Sequence, residues 1–143
     1  MNRIIAFDIG DKRIGVSISD PFCSMALPLE TYKRQGLEKD ISYLSNLIKE
    51  KDATTVVCGL PVNFDGSKSE QTVKTANFIE KLKSATDVQV VTEDERFTTL
   101  EARRLLLEAD MRRDKRKEVI DKVAASYILE TYLNKLKNGG RNQ

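Results

Sequence analysis

The chain has 143 residues, of which 40% are apolar and 32% charged, with a net charge of +2, which suits one compact domain and is too short for two ordinary ones. The absence of histidine and of any C-x-x-C spacing excludes Cys/His zinc sites and His-based catalytic triads. No segment approaches the roughly 20 apolar residues of a membrane span, and we expect neither a signal peptide nor a membrane partner, hence a cytoplasmic protein.

The first part of the chain predicts an antiparallel meander. Residues 4–7 and 13–18 are rich in β-branched residues and are joined by a turn that contains Gly10 and Asp11. A third extended segment is expected over residues 25–32, where Pro28 restricts it to a sheet edge.

Strand and helix then alternate. Residues 54–58 read as a buried parallel strand that ends in a loop, Gly59-Leu60-Pro61. Ser67 and Glu70 match the S-x-x-E capping box, which predicts the start of a helix. The helix before that strand is predicted by apolar residues at helical spacing, namely Leu37, Ile41, Leu44 and Ile48.

The last third predicts one more strand and two helices. Residues 88–92 form an apolar strand, and a capping box at Thr98 and Glu101 starts a helix that extends to about residue 109. A basic segment, residues 112–117, is expected to interrupt the helical structure before a long apolar-faced helix over 119–136.

An antiparallel meander followed by βα units predicts an α/β fold, with a mixed five-stranded sheet and helices on both faces. We expect one domain over residues 1–138 and a disordered tail at 139–143. In open α/β sheets, functional sites lie at the carboxyl ends of the strands.

Asp8 stands at such a strand end. By strand alternation it shares a face with Ile4 and Ala6, so it continues an apolar row, and a buried carboxylate needs a cation nearby. The alternative is that Asp8 only begins the turn by hydrogen bonding to the backbone near Gly10.

Asp94 and Glu95 also follow a strand. Alternation groups Glu95 with Val91 on one face and Asp94 with Val90 on the other, so only one of the two acids can serve a site. The residues alone leave open which one it is, and pairing with Arg96 is the structural alternative.

Asp121 lies on the apolar face of the last predicted helix, at helical spacing from Ala124, Ala125 and Ile128. Favourable charge in the first helical turn is the alternative explanation. Three hard oxygen donors without nitrogen or sulfur ligands suit Mg²⁺ or Mn²⁺, and paired ions of this kind catalyse phosphodiester hydrolysis.

At these residues the chain resembles the YqgF/RuvX family, the pre-16S rRNA nucleases and Holliday-junction-resolvase-like proteins of bacteria. The resemblance covers nearly the whole chain in four ordered motifs, namely Phe7-Asp8-Ile9-Gly10 with Lys12-Arg13-Ile14-Gly15, Gly59-Leu60-Pro61 with Asp65-Gly66, Asp94-Glu95-Arg96 with Thr98-Thr99, and Asp121 with Ala124-Ala125 and Ile128-Leu129.

The resemblance implies a ribonuclease H-like fold and a metal-dependent nuclease that processes the 5′ end of precursor 16S rRNA during ribosome biogenesis. Asp8, Glu95 and Asp121 then take the catalytic and metal-ligand roles, with Asp94 as the alternative middle ligand. Related resolvases place the second acid after the fourth strand, whereas this chain has none there before Asp65.

Several basic and polar residues are candidates for substrate binding. The resemblance suggests that Lys12, Arg13 and Arg96 lie near the substrate backbone, and amides near Ser67 could bind a phosphate. The basic segment would neutralise phosphates of an RNA or DNA duplex; it contains Arg112, Arg113, Lys115, Arg116 and Lys117.

Three other functions compete with rRNA processing. The chain could resolve Holliday junctions, which would favour a symmetric dimer over a monomer or weak homodimer. It could also be a non-catalytic assembly factor that binds nucleic acid. An actin-like or sugar-kinase ATPase would need a second domain, for which 143 residues leave no room.

Overall fold

The computed structural model describes residues 3–61, 67–94 and 113–141, and within the last segment the side chains of 119–138. These segments contain, in chain order, β1 (Arg3–Ile9), β2 (Arg13–Ser19), β3 (Ala26–Lys33), α1 (Leu37–Glu50), β4 (Ala53–Leu60), α2 (Glu70–Ala85), β5 (Gln89–Asp94) and α3 (Arg113–Arg141).

The strands form one mixed sheet in the order β3-β2-β1-β4-β5. β1 pairs antiparallel with β2, and β2 with β3, whereas β1–β4 and β4–β5 are parallel. β1 is therefore central, which explains its nearly continuous apolar run. The predicted five-stranded mixed sheet is confirmed, and β3, which carries Pro28, is an edge strand.

Helices cover both faces of the sheet, as predicted. α1 and α2 enclose the larger core, in which Phe7, Ile14 and Leu44 are fully buried. α3 covers the opposite face, where Ala6 and Val57 pack against Leu129. We call these two interfaces the α1/α2 layer and the α3 layer.

α3 lies unusually close to β2. A Cβ atom on Gly15 would lie 1.8 Å from the carbonyl oxygen of Asp121, and the Ser17 hydroxyl donates to the carbonyl oxygen of Ala125 over 2.8 Å. The backbone of α3 thus rests directly on β2, which is possible because position 15 carries no side chain.

Two sequence predictions of element ends are wrong. The cap of α2 is Ser69 rather than Ser67, because the Ser69 hydroxyl accepts the N–H of Thr72 while the Thr72 hydroxyl accepts the N–H of Ser69. The strand predicted at 88–92 extends to Asp94, since Gly59 and Leu60 remain paired with it.

The last helix is also longer than predicted. Its backbone begins at Arg113, so from that residue onward the basic segment continues the helix instead of interrupting it. The predicted helix from Thr98 to residue 109 lies outside the described part of the chain, and the disordered tail at 139–143 stays a prediction.

Candidate active site

Asp8 lies near the carboxyl end of β1, half-buried, and pairs with Gly15 of β2. Ile4 and Ala6, which share its face, pack in the α3 layer. The predicted alternation is thus correct, and Asp8 projects on the α3 side of the sheet.

Asp121 reaches the same place from the other end of the chain. Its carbonyl oxygen lies directly over Gly15, the residue paired with Asp8. The next turn of α3 is packed down on the sheet, with Ala124 and Ala125 almost completely buried. The structure therefore brings two of the predicted acidic residues next to one glycine, Gly15.

Arg13 is a cation that pairs with Asp121. Its Nε donates to Oδ2 of Asp121 over 2.7 Å, and the two side chains are 24% and 19% exposed. A guanidinium has five N–H donors, so this bond leaves others that can face a phosphate. Lys12, the second predicted contact in the turn, is exposed.

The two candidate middle ligands are Asp94 and Glu95, and the packing of β5 shows on which face of the sheet Asp94 lies. Val90, which alternation groups with Asp94, packs in the α1/α2 layer, whereas Val91 packs in the α3 layer with the residues that flank Asp8. Asp94 therefore projects away from Asp8. Glu95 lies outside the described residues, and the alternation that groups it with Val91 stays a prediction.

Glu93 is a buried acid that sequence reasoning missed. It is only 3% exposed and pairs in register with Gly59, and Lys135 of α3 donates to its Oε1. Its alternation with Val91 was the signal that could have placed it on the α3 side. The ion pair connects α3 to β5, which is separated by β4 from β1, the strand that carries Asp8.

A second missed element supports the turn that follows Asp8. The backbone N–H of Arg34 donates to the carbonyl oxygen of Lys12 over 3.0 Å, and its Nη1 donates to that of Gly10 over 2.9 Å. Arg34 also donates from Nε to Oδ2 of Asp40 over 2.8 Å. The turn is therefore fixed to α1 through a single guanidinium.

Asp40 is completely buried at the centre of this network. It accepts hydrogen bonds from the Tyr32 hydroxyl over 2.9 Å and from the Gln35 N–H over 2.8 Å, in addition to that from Arg34. Burial alone would raise the pKa of the Asp40 carboxyl, but the hydrogen bonds from Arg34, Gln35 and Tyr32 outweigh it and lower the pKa below its ordinary value.

The donor set at this edge suits a hard divalent cation. Asp8 and Asp121 supply carboxylate oxygens, the ligands that Mg²⁺ and Mn²⁺ prefer. Within residues 3–61, 67–94 and the described side chains of α3, no three acidic or thiol groups are close enough together to hold a metal ion. A complete set of three acids would require a residue outside those ranges.

The remaining predicted substrate contacts are only partly described. Ser67 precedes the cap of α2. Arg96 and Arg112 lie outside the described residues, as do the side chains of Arg113, Lys115, Arg116 and Lys117. Their contact with nucleic acid stays a prediction.

The family model described as RuvX, Holliday junction resolvase, matches residues 2–135. The chain belongs to the RuvX family. RuvX relatives carrying the name "Putative pre-16S rRNA nuclease" include a Clostridium acetobutylicum protein, 44% identical over 134 residues that cover 94% of this chain and 99% of the relative. A Halothermothrix orenii relative of the same name is 46% identical over 132 residues, covering 92% and 94%.

Two solved resolvase structures share the fold of this chain. The chain superposes on Thermus thermophilus RuvC, solved in complex with a Holliday junction substrate, with a TM-score of 0.57 and 10% identity, covering 94% of this chain and 97% of that one. Fowlpox virus resolvase, solved with Holliday junction DNA, gives 0.53 and 11%, covering 94% and 98%. The predicted ribonuclease H-like fold is confirmed.

These comparisons also confirm the predicted family and the prediction of a nuclease. The substrates of these relatives are nucleic acids, namely pre-16S rRNA by name and Holliday junctions in the solved complexes. No helix in the described part of the RuvX-family chain is both long and apolar enough to cross a membrane.

Proposed function

We propose that this chain is a cytoplasmic, metal-dependent nuclease that hydrolyses phosphodiester bonds at the 5′ end of precursor 16S rRNA. The support is the RuvX family match together with relatives named for that substrate. The proposed catalytic role rests on one observation, namely that Asp8 and Asp121 both lie next to Gly15.

Asp8, Glu95 and Asp121 are the proposed ligands of Mg²⁺ or Mn²⁺, with Glu95 preferred over Asp94 because Asp94 projects from the opposite face. Bound divalent ions lower the pKa of water and stabilise charge on a phosphoryl oxygen. The rigid β1 strand and the close packing of α3 on Gly15 hold Asp8 and Asp121 in place before substrate binds.

Arg13 orients Asp121 through its Nε–Oδ2 bond and offers its remaining N–H donors to the phosphate. Lys12, exposed in the same turn, adds a second positive charge beside the scissile bond. The network of Arg34 fixes this turn, so both cations project from a fixed position relative to Asp8.

The family model is described by its resolvase activity, which makes branched DNA a second candidate substrate. A resolvase cuts two strands symmetrically and works best as a dimer. We propose a monomer or weak homodimer, which fits rRNA processing better.

The test is cleavage of a structured 16S precursor and of a four-way DNA junction with Mg²⁺ or Mn²⁺, comparing the wild type with Asp8→Asn and Asp121→Asn. Asp87→Asn, an exposed acid beyond the end of α2, is the matched control. We expect metal-dependent cutting of the precursor, lowered at least 100-fold in both site variants and kept in the control.

Two results would contradict the proposal. Equal cutting by the wild type and both site variants would identify a contaminating nuclease and leave a non-catalytic binding protein. Preferential cutting of the junction, together with a dimer in sedimentation, would replace rRNA by branched DNA.

A further inference from the structure

A cavity opens at the same edge of the sheet as Asp8 but on the α1/α2 side. It has a volume of about 270 Å³ and lies between the turn after β1, the start of α1 and the exposed side of α2. Asp11 lines it and follows Asp8 by three residues, so the cavity begins within about 11 Å of Asp8 along the chain. We call it the α2 cavity; its polar and charged lining consists mainly of Asp11, Arg34, Gln71, Lys74, Asn77 and Lys81.

The α2 cavity carries two lysines that no described residue neutralises through an ion pair. Lys74 and Lys81 are exposed and two turns apart on one side of α2. Neither forms an ion pair with any residue the structure describes. The third cation, Arg34, is already paired with buried Asp40, and Asp11 is the one acid among the lining residues.

Among its described lining residues, the cavity offers no surface on which a base could stack. Phe78, its aromatic residue, is 4% exposed, and the Arg34 guanidinium lies over its ring at 4.9 Å from the centroid. Stacking platforms need an exposed aromatic face. The amides of Gln71 and Asn77 and the two lysines instead provide donors, which suits an anion.

We infer that the α2 cavity binds a backbone phosphate of a polynucleotide, held by Lys74 and Lys81, on the side of the sheet opposite the cleavage site. The substrate then crosses the edge of the sheet at the carboxyl end of β1. Its scissile phosphate lies at Asp8 and a second phosphate lies at α2. Contacts of this kind position a nucleic acid without reading its sequence. The inference rests on the proposed function only in taking the polynucleotide to be the substrate.

The test measures binding of a structured RNA to the full chain by fluorescence anisotropy without divalent metal, in an Asp8→Asn background that prevents cleavage. The variant is Lys74→Gln/Lys81→Gln. The matched control is Lys49→Gln/Lys51→Gln, which removes the same charge at the other end of the sheet. Circular dichroism checks that every variant is folded.

We expect the cavity variant to bind about tenfold more weakly at low salt, with the slope of log K against log salt reduced by roughly 0.7 to 0.9 for each phosphate that the variant no longer neutralises. The control should stay within about twofold of its parent. Asp11→Asn should change binding in the opposite direction and tighten it, because it removes the acid from the lining.

An unchanged affinity in the cavity variant, an equal weakening in the control, or no tightening by Asp11→Asn would each overturn the inference. So would displacement of the RNA by micromolar inorganic phosphate, since the cavity would then be a site for free phosphate. Cleavage by the wild type is scored separately. A chain that binds through the cavity but cuts no precursor refutes only the proposed function, and a cutting enzyme with normal binding in the cavity variant refutes only the α2 cavity.

Discussion

Arg13 donates to Asp121 over 2.7 Å and so joins the first residue of β2 to α3 at the edge where Asp8 lies. The pair is largely shielded, with side-chain exposures of 24% and 19%. One carboxylate oxygen of Asp121, a proposed metal ligand, thus already accepts a hydrogen bond from Arg13.

Replacing Arg13 by glutamine should increase the affinity for Mn²⁺ in calorimetric titration. The substitution removes a positive charge that competes for Asp121, and after solvent screening we expect about 1 kcal/mol, or roughly fivefold in Kd. Lys12→Gln, in the same turn but without an ion pair to a described residue, is the control and should change Kd less. Unchanged or weaker metal binding by Arg13→Gln would show that Arg13 does not compete.

Gly15→Ala should destabilise the fold by about 3 kcal/mol or more, because the new methyl group would meet backbone that cannot rotate away. The nearest atom is the carbonyl oxygen of Asp121, at 1.8 Å. Gly36→Ala is the comparison, since its φ of 123° strains any side chain but no atom lies within 4 Å. That change should cost about 2 kcal/mol, because this region of backbone conformation is nearly restricted to glycine. Urea unfolding that ranks the two variants in the opposite order would refute the close approach.

Asp40→Asn should cost about 2 to 4 kcal/mol at neutral pH, because it weakens three hydrogen bonds to a buried carboxylate. The pKa of Asp40 is lower in the folded state than its ordinary value of 3.8, so folding favours the ionised form. Its contribution is complete above that value and is lost as the pH falls through the folded pKa.

The difference in unfolding free energy between the wild type and Asp40→Asn should therefore be constant near neutrality and shrink below about pH 4. Urea titrations from pH 7 to pH 3 measure it. Tyr32→Phe, which removes one donor, should show a smaller effect of about 1 kcal/mol. A difference that grows toward acid would reverse the assigned direction of the pKa.

Lys135→Met should destabilise the chain by about 2 kcal/mol, because it leaves the buried Glu93 carboxylate without its ammonium partner. Lys135 is 58% exposed, so solvent limits the loss. Glu93→Leu combined with Lys135→Met should recover most of it, since apolar pairs often replace buried ion pairs without cost. Additive losses in this double-mutant cycle would mean that the pair is not coupled.

The sequence predicted those parts of the fold that depend on local pattern. Alternation along β1 placed Asp8 correctly with Ile4 and Ala6, and helical spacing placed Asp121 with Ala124 on the packed face of α3. Both predictions rest on the periodicity of a strand or helix, because residues that recur with that period lie on one face and pack together.

Contacts between distant elements could not be predicted in this way. Nothing near Arg13 in the chain indicates that Asp121 will be its partner, because the two meet only after α3 has docked on β2. The cap of α2 was misassigned for a similar reason: Ser67 and Ser69 both offer hydroxyls, and only in the folded chain does Thr72 also bind the Pro61 carbonyl.

The position of β1 and α3 at opposite ends of the chain has a consequence for how the protein is made. During translation Asp8 emerges early, whereas Asp121 follows only after β4, α2 and β5 have been synthesised. Until α3 has been synthesised, the nascent chain therefore lacks one of the three proposed catalytic acids and the helix that packs over Gly15. An enzyme whose proposed substrate is a ribosomal precursor would remain inert until the ribosome that makes it has synthesised α3.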